Sequence, residues 1–377
     1  MDEIKPISHF LGGHDDKWTR IILPIGLSFV TFHKISYIVD VYRGISRAFK
    51  NVIDYSLYIL FFPQLIAGPI IRFHEIKDQI QIRNETIDKI FEGGIRFSWG
   101  LIKKVLIANS CGSIADSVFG LGLNGDLLGT RMAWLGIYSY ALQIYFDFSG
   151  YSDMAIGLGR MFGFKFPENF NRPYSAVSIT DFWRRWHMSL SRFFREYLYV
   201  PLGGNQKGEF RTLLNLWIVF VLCGLWHGAN WTFLIWGIYH GGLLTAERLW
   251  TGRILEKDRW EWLRRLWTFG LVMIGWVFFR SETLNQALHY MKILFIPKND
   301  AFPFEVLESV NNRTLIFLGC ASVALLLPRG FSGINFILFK NNLFVRPLVV
   351  GALVFLAWYS MGLIATGSFN PFIYFQF

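Results

Sequence analysis

From Leu213 to Ala246 no residue carries a formal charge if histidine is neutral, while Arg211 precedes the stretch and Glu247-Arg248 follow it. As one helix it would be about 50 Å long, well beyond the ~30 Å hydrocarbon core of a bilayer. Gly228-Ala229-Asn230 stands at its centre. A broken helix or hairpin is expected, with the apex at Trp226-His227-Gly228-Ala229-Asn230. Each half then measures roughly 22 to 24 Å, which places the apex within the membrane or near its far interface. Irregular backbone at that depth must line protein or a watery cavity, and an ionisable group there reads as functional. His227 is that group. His240, on the second half, has the same apolar surroundings but no adjoining break, and a structural role is favoured for it.

The rest of the chain fits a membrane solvent. Hydrophobic residues make up 53% and charged residues only 17%, whereas soluble domains carry about 25% charged residues. The apolar runs are long and continuous, which points to helices and away from a barrel. The expected fold is all-α and polytopic, one membrane-embedded domain over 1–377 with about eight to eleven embedded segments. The net charge of +10 fits basic loops facing anionic lipid; no nucleic-acid partner is expected. Cys111, Cys223 and Cys320 lie far apart without metal-like spacing and are expected in the core, so neither a disulfide framework nor a metal site is predicted. The polar Met1–Arg20 stretch lacks the pattern of a cleavable signal peptide.

Individual segments carry finer expectations. Ile21 to Val41 is interrupted by His33, Lys34 and Asp40 and should be buried among other helices. Tyr55 to Ile71 should kink or end at Pro63 and Gly68-Pro69, because proline frees backbone groups that lipid cannot satisfy. Phe97 to Ile107 is broken by Lys103-Lys104, and Met132 to Phe148 closes on Asp147 and Gly150, with Tyr151 to Phe164 too short to cross unaided. Leu266 to Phe279, Leu315 to Leu327 and Leu348 to Leu363 are further candidates, with a polar Pro297–Arg313 loop between two of them.

Ser178 to Tyr199 opens with a Ser178-x-x-Asp181 capping pattern. At 100° per residue Phe182, Trp186, Leu190, Phe193 and Tyr197 gather on one side and Arg184, Ser191, Arg192 and Arg195 opposite, as in a helix lying along an interface. Asp181 with Arg185, and Arg192 with Glu196, have the i,i+4 spacing of ion pairs. His187 falls at the margin of the apolar arc. The glycines of Pro201–Gly208 lack either phosphate-loop spacing, and a tight turn is expected.

No G-x-S-x-G, H-E-x-x-H or prominent Cys-His arrangement is present, so histidine carries the chemical case. Its near-neutral pKa suits removal of a proton from a hydroxyl that attacks an activated acyl group such as a thioester. Acyl transfer further needs water excluded and an oxyanion donor.

At this point the chain resembles the membrane-bound O-acyltransferases, in particular the bacterial branch that includes alginate O-acetyltransferase subunits. The resemblance spans Leu23-Pro-Ile-Gly-Leu-Ser-Phe, Ile38-Val-Asp-Val-Tyr-Arg-Gly44, Pro63-Gln-Leu-Ile-Ala-Gly-Pro69, Tyr145-Phe-Asp-Phe-Ser-Gly-Tyr-Ser-Asp153 and Asn169-Phe-Asn-Arg-Pro-Tyr174. Its most specific stretches are Asp181-Phe-Trp-Arg-Arg-Trp-His-Met-Ser-Leu-Ser191, Tyr199-Val-Pro-Leu-Gly-Gly-Asn205 and Leu225-Trp-His-Gly-Ala-Asn-Trp231. It implies His227 as the catalytic histidine and His187 as the second active-site position. It also implies a ring of transmembrane, re-entrant and interfacial helices around a central tunnel, approached by donor and acceptor from opposite sides.

Trp183, Trp186, Trp226, Asn230 and Trp231 are candidates to shape that tunnel, although tryptophans near an interface commonly serve as anchors. The function implied is acetyl transfer from a cytoplasmic thioester, acetyl-CoA or another acyl thioester, towards hydroxyls of an extracytoplasmic polysaccharide such as alginate. No bound cofactor is expected; a secreted or membrane-anchored SGNH-type acetyltransferase is an expected partner, and the location is the bacterial inner or cytoplasmic membrane. D-alanyl transfer to teichoic acid is the alternative within the family. A polysaccharide or lipid transporter is the alternative outside it, but the paired broken segments of an inverted repeat are not visible. Relatives carry hydrophobic helices ahead of the stretch matching Leu23, so the resemblance implies that those are missing here, and Phe372–Phe377 looks like the family's natural ending.

Overall fold

The computed structural model describes residues 26–66, 68–123, 128–251, 260–299, 303–328, 331, 333 and 345–367, and among these every regular element is helical. The expectations for Met1–Arg20, for Leu23–Ile25 and for the chain end lie outside the described residues. Leu27–Tyr42 forms α1, Val52–Leu60 α2 and Phe73–Gln81 α3. The α-helix stops before Pro63, as its missing N–H requires: α2 ends at Leu60 and Phe62–Gln64 is a 3-10 turn. Of the three polar residues on α1, His33 and Asp40 are buried while Lys34 is exposed. Asp40 accepts hydrogen bonds from His74 Nδ1 at 2.8 Å and from the Tyr197 hydroxyl at 2.8 Å.

Lys103-Lys104 does not interrupt its helix. α4 (Ile87–Ile102) continues through a π-helical turn at Lys103–Ala108 into α5 (Asn109–Leu123). The lysines are held by acids of α6 (Thr130–Met161): Lys103 pairs with Asp153 at 2.5 Å and Lys104 with Asp147 at 2.6 Å. Arg96 adds bonds to Asp153 and Glu168. A buried charge is tolerated when it is paired in this way. The Met132–Phe148 and Tyr151–Phe164 segments are likewise one helix of 32 residues, about 48 Å long, rather than two pieces meeting at Gly150. Gly150 is a contact point instead. A Cβ on Gly100 would meet the Gly150 carbonyl oxygen at 2.4 Å, so the two backbones touch.

Ile179–Trp183 forms α7 and Met188–Phe194 forms α8, followed by a π-helical turn at Arg195–Tyr199. The single amphipathic helix expected over this stretch is therefore broken between Trp183 and Met188. Its apolar side is kept: Phe182, Trp186, Leu190 and Phe193 are all buried. The Asp181–Arg185 pair forms at 2.7 Å, but Glu196 pairs with Arg72, and Arg192 donates to the Glu168 carbonyl.

Gly208–His227 is α9 and Trp231–Ala246 is α10, the hairpin expected from the uncharged stretch, with its break at Gly228–Asn230. Glu261–Arg280 (α11), Leu284–Phe295 (α12), Phe304–Ser309 (α13), Asn312–Leu326 (α14) and Val345–Thr366 (α15) follow, so the polar Pro297–Arg313 connection contains one short helix. Gly208–His227 and Arg346–Thr366 are, among the described residues, the helices long and apolar enough to cross a membrane. Cys111 and Cys223 are buried as expected; Cys320 is exposed.

The largest core lies where α6 to α11 meet and is aromatic. Trp186 and Trp276 have ring centroids 5.0 Å apart, Phe182 and Trp186 5.6 Å. Such pairs contribute about 0.5–1.5 kcal/mol each beyond their buried area. This core is the floor on which both candidate histidines sit.

Candidate active site

Helix α9 ends on His227, where Gly228 turns to extended backbone packed closely on Phe233. A Cβ on Gly228 would meet the Phe233 ring at 2.7 Å. The chain re-enters a helix at Asn230, whose Oδ1 accepts the Thr232 N–H at 2.9 Å, satisfying a first-turn donor of α10. Asn230 Nδ2 donates to the Glu282 carbonyl at 2.9 Å, tying the break to the start of α12. The His227 imidazole is partly buried and enclosed by aromatic rings: Trp226 at 4.7 Å, Phe279 at 5.0 Å and Trp236 at 5.2 Å between centroids.

His187 is the residue at which the other helix breaks. Its φ of 42° and ψ of 54° are left-handed, a conformation that costs a non-glycine residue of order 1–3 kcal/mol and that clusters at functional sites. The side chain is 1% exposed. Phe148 packs edge-on against it at 4.7 Å. Nδ1 lies 3.1 Å from Asn169 Oδ1, and Nε2 has no hydrogen-bond partner among the described residues.

The two histidines share one small cavity. Its walls are Trp183, Trp186, His187 and Leu190 from the α7–α8 segment, His227 and Trp236 from the hairpin, and Ile144, Trp276 and Phe279. About 10 Å³ is open to a water-sized sphere, close to the minimum for one water. The indole N–H groups of Trp183 and Trp236 are buried and have no acceptor among the described residues. A donor left unsatisfied in a buried site calls for an explanation, and a ligand oxygen is one.

Of two larger chambers, one adjoins this cavity and the other is separated from it by Phe170. One, of ≈ 490 Å³, shares Trp183 and Leu190 with it; Arg184, Arg192 and Arg195 stand on its wall with Val219 and Phe220. The other, of ≈ 400 Å³, is lined by Arg96, Lys103, Asp153, Glu168 and Asn171. Phe170 lines that second chamber and also packs on Trp186 at 5.1 Å and His187 at 6.5 Å.

Of the residues expected at the site, His187, His227, Trp183 and Trp186 line the cavity, whereas Trp226, Asn230 and Trp231 do not. Trp226 packs on the buried Phe32 at 5.3 Å, Asn230 is the helix cap already described, and Trp231 is 49% exposed. His240 stands one layer behind, its ring 5.1 Å from both Trp183 and Trp236, with no hydrogen bond on either nitrogen among the described residues. Trp236, Asn169 and Glu247 were not singled out for a role from sequence. Trp236 is a helical neighbour of Phe233 and His240 facing the same interior, a periodicity that was available. Asn169 and Glu247 act across long sequence separations and leave no local signal.

Glu247, just past α10, accepts the backbone N–H of Ile179, the N–H of Thr180 at 2.9 Å and the Thr180 hydroxyl at 2.8 Å. It thus satisfies the first-turn donors of α7 from the far end of the hairpin, where a carboxylate is also favoured by the helix dipole.

Residues 47–284 match the model of the membrane-bound O-acyltransferase family. The chain is 43% identical over 400 residues to the probable alginate O-acetylase AlgI of Pseudomonas putida, covering all of this chain and 80% of that protein. It is 47% identical to the probable alginate O-acetylase AlgI of Azotobacter vinelandii, over 86% of this chain and 63% of the relative. It is 30% identical to the teichoic acid D-alanyltransferase of Bacillus subtilis, over 71% of each. The chain belongs to the membrane-bound O-acyltransferase family.

Proposed function

We propose that this chain moves acetyl groups from a thioester donor, acetyl-CoA or another acyl thioester, towards hydroxyls of an extracytoplasmic polysaccharide such as alginate. His227 is the general base and His187 positions the reactants. The observation that carries this reading is the meeting of both imidazoles, from two separate helix breaks, on one cavity whose walls include Trp183 and Trp236, both with buried indole N–H groups that have no acceptor among the described residues. The hydroxyl loses its proton to His227 as its oxygen bonds to the thioester carbonyl carbon. Trp183 and Trp236 N–H stabilise the oxygen that becomes negative. The C–S bond then breaks and the proton passes from His227 to the departing thiolate.

The chamber bearing Arg184, Arg192 and Arg195 over apolar walls suits an acyl thioester on an anionic carrier, and the second chamber, where the paired charges of Arg96, Glu168, Lys103 and Asp153 stand among apolar side chains, is assigned to the acceptor. That arrangement supports a tunnel with substrates arriving from opposite sides, within a multi-pass protein of the bacterial inner or cytoplasmic membrane. Transfer to the polymer runs through a secreted or membrane-anchored SGNH-type acetyltransferase. Acetyl is favoured over D-alanyl because the alginate O-acetylase relatives are the more similar.

The test is transfer from labelled acetyl thioester by purified wild-type and His227→Ala protein. Loss of transfer by at least about 100-fold is expected from removal of a general base; equal transfer by the variant sinks the mechanism.

A further inference from the structure

Asn169 is 1% exposed and sits in the irregular segment between α6 and α7. Its Oδ1 is approached by three donors: the Ser189 N–H at 3.1 Å, the Ser189 hydroxyl at 2.8 Å and His187 Nδ1 at 3.1 Å. Its own backbone carbonyl accepts the Met188 N–H at 2.9 Å. Met188 and Ser189 are the first residues of α8, and the residue in the capping position, His187, makes no side-chain cap. Asn169 therefore caps α8 from 18 residues upstream of His187, which leaves the imidazole free of that task.

The amide orientation follows from the network. The Ser189 N–H can only donate, so it must face the oxygen of the amide; a flip would set two donors against each other. The amide oxygen in turn can only accept, so the contact with Nδ1 requires a proton on Nδ1. The neutral ring then has its lone pair on Nε2, the buried atom with no partner among the described residues. Ser189 is itself anchored, since its hydroxyl accepts the Ile70 N–H at 2.9 Å. The segment is pinned further along as well: the Asn171 N–H donates to the Arg185 carbonyl at 2.9 Å, and Arg172 Nη2 donates to the carbonyls of Ala324 and Leu327 at the end of α14.

We propose that Asn169 is a positioning residue of the active site: by accepting Nδ1–H it holds His187 as a hydrogen-bond acceptor at Nε2 in the cavity shared with His227. His187 then accepts a hydrogen bond from a second donor of the bound acceptor, such as a hydroxyl neighbouring the one that His227 deprotonates, and cannot act as an N–H donor to the thioester oxygen. That leaves the oxyanion to the indoles. The catalytic half of this inference rests on the acyl-transfer reading above; the tautomer does not.

Both halves are tested in the purified full chain in nanodiscs. With ¹⁵N-histidine labelling, the His187 signals are those lost in His187→Ala. They should show a protonated Nδ1 and a bare Nε2 in the wild type and in Asn169→Asp, which keeps an acceptor oxygen, but a mixture or the opposite tautomer in Asn169→Ala. A wild-type Nε2–H tautomer overturns the proposal whether or not the protein transfers acyl groups. In kinetics, Asn169→Ala should lower kcat about 10- to 100-fold, the range seen when a group that orients a functional histidine is removed, with KM little changed and Asn169→Asp largely active. In a His187→Ala background the same substitution should cost nothing more. An equal loss in both backgrounds means that Asn169 only supports the fold, and overturns the positioning role. Ser189→Ala serves if Asn169→Ala folds poorly: it removes the hydroxyl's bonds with Asn169 Oδ1 and the Ile70 N–H but keeps the backbone N–H that Asn169 caps, and it should lower stability while leaving the His187 tautomer unchanged; a changed tautomer there counts against the proposal.

Discussion

The carboxylate of Glu247 accepts the backbone N–H of Thr180 at 2.9 Å, joining the end of the hairpin that carries His227 to the start of the segment that carries His187. The contact ties together the two segments whose histidines line the cavity. The two helix breaks are local events; their alignment is not.

Removing that tie should loosen both breaks at once. Glu247→Ala leaves the N–H groups of Ile179 and Thr180 without their acceptor, and a loss of about 1–2 kcal/mol is expected, as for a missing helix cap. Glu247→Gln keeps an acceptor oxygen and should lose less. Thermal unfolding of the two variants in the same detergent ranks them, and an unchanged midpoint for Glu247→Ala contradicts the capping role.

His240 provides a contrast with the catalytic pair. It is fully buried among Trp183, Trp236 and Tyr239 and makes no hydrogen bond through either nitrogen among the described residues. Replacing it by leucine removes two unsatisfied polar atoms at similar volume, so His240→Leu should stay within about 1.5 kcal/mol of the wild type. Acyl transfer should persist within a few-fold. A loss as deep as that of His227→Ala, in a protein of normal stability, means that His240 takes part in the chemistry.

A pH-dependent contribution lies outside the apolar segments, on α3. Burial alone would raise the Glu75 carboxyl, but its hydrogen bonds and ion pair with Arg72 outweigh burial and hold it below its ordinary value of 4.5. A carboxyl lowered on folding stabilises the protein above its ordinary value, and that stability is lost as pH falls through the lowered one. Thermal midpoints of the wild type should therefore decline as pH drops below about 4.5, and Glu75→Gln should flatten that part of the decline. Parallel curves for the two proteins over this range would show that Glu75 is not a source of it.

How far the sequence carried the reading differs from element to element. The hairpin at Gly228–Asn230 was readable because an uncharged run too long for one crossing had a glycine and a helix-capping residue at its middle. The break at His187 was not, because the chain resumes its helix with Phe182, Trp186, Leu190 and Phe193 still facing inward. A periodicity analysis sees an unbroken stripe in such a case. Lys103-Lys104 misled in the opposite direction: two adjacent charges look like an interruption until Asp153 and Asp147 of α6 are known to lie opposite them. Gly150 looked like a stop for the same reason, since a glycine that ends a helix and one that admits a neighbouring backbone are spelled alike.

By itself the sequence determined the helical class, the membrane-like composition and the apex at His227, because charge, hydropathy and local backbone preference are properties of neighbours along the chain; the place of His187 beside it was implied only by the family resemblance. Only the tertiary structure decided that both imidazoles line one cavity, that Trp236 joins Trp183 there, and that Asn169 and Glu247 cap helices distant from them in the chain. Those relationships arise from hydrogen-bonding groups left unpaired at broken helix ends, and the partner that satisfies such a group is chosen by proximity in the folded chain.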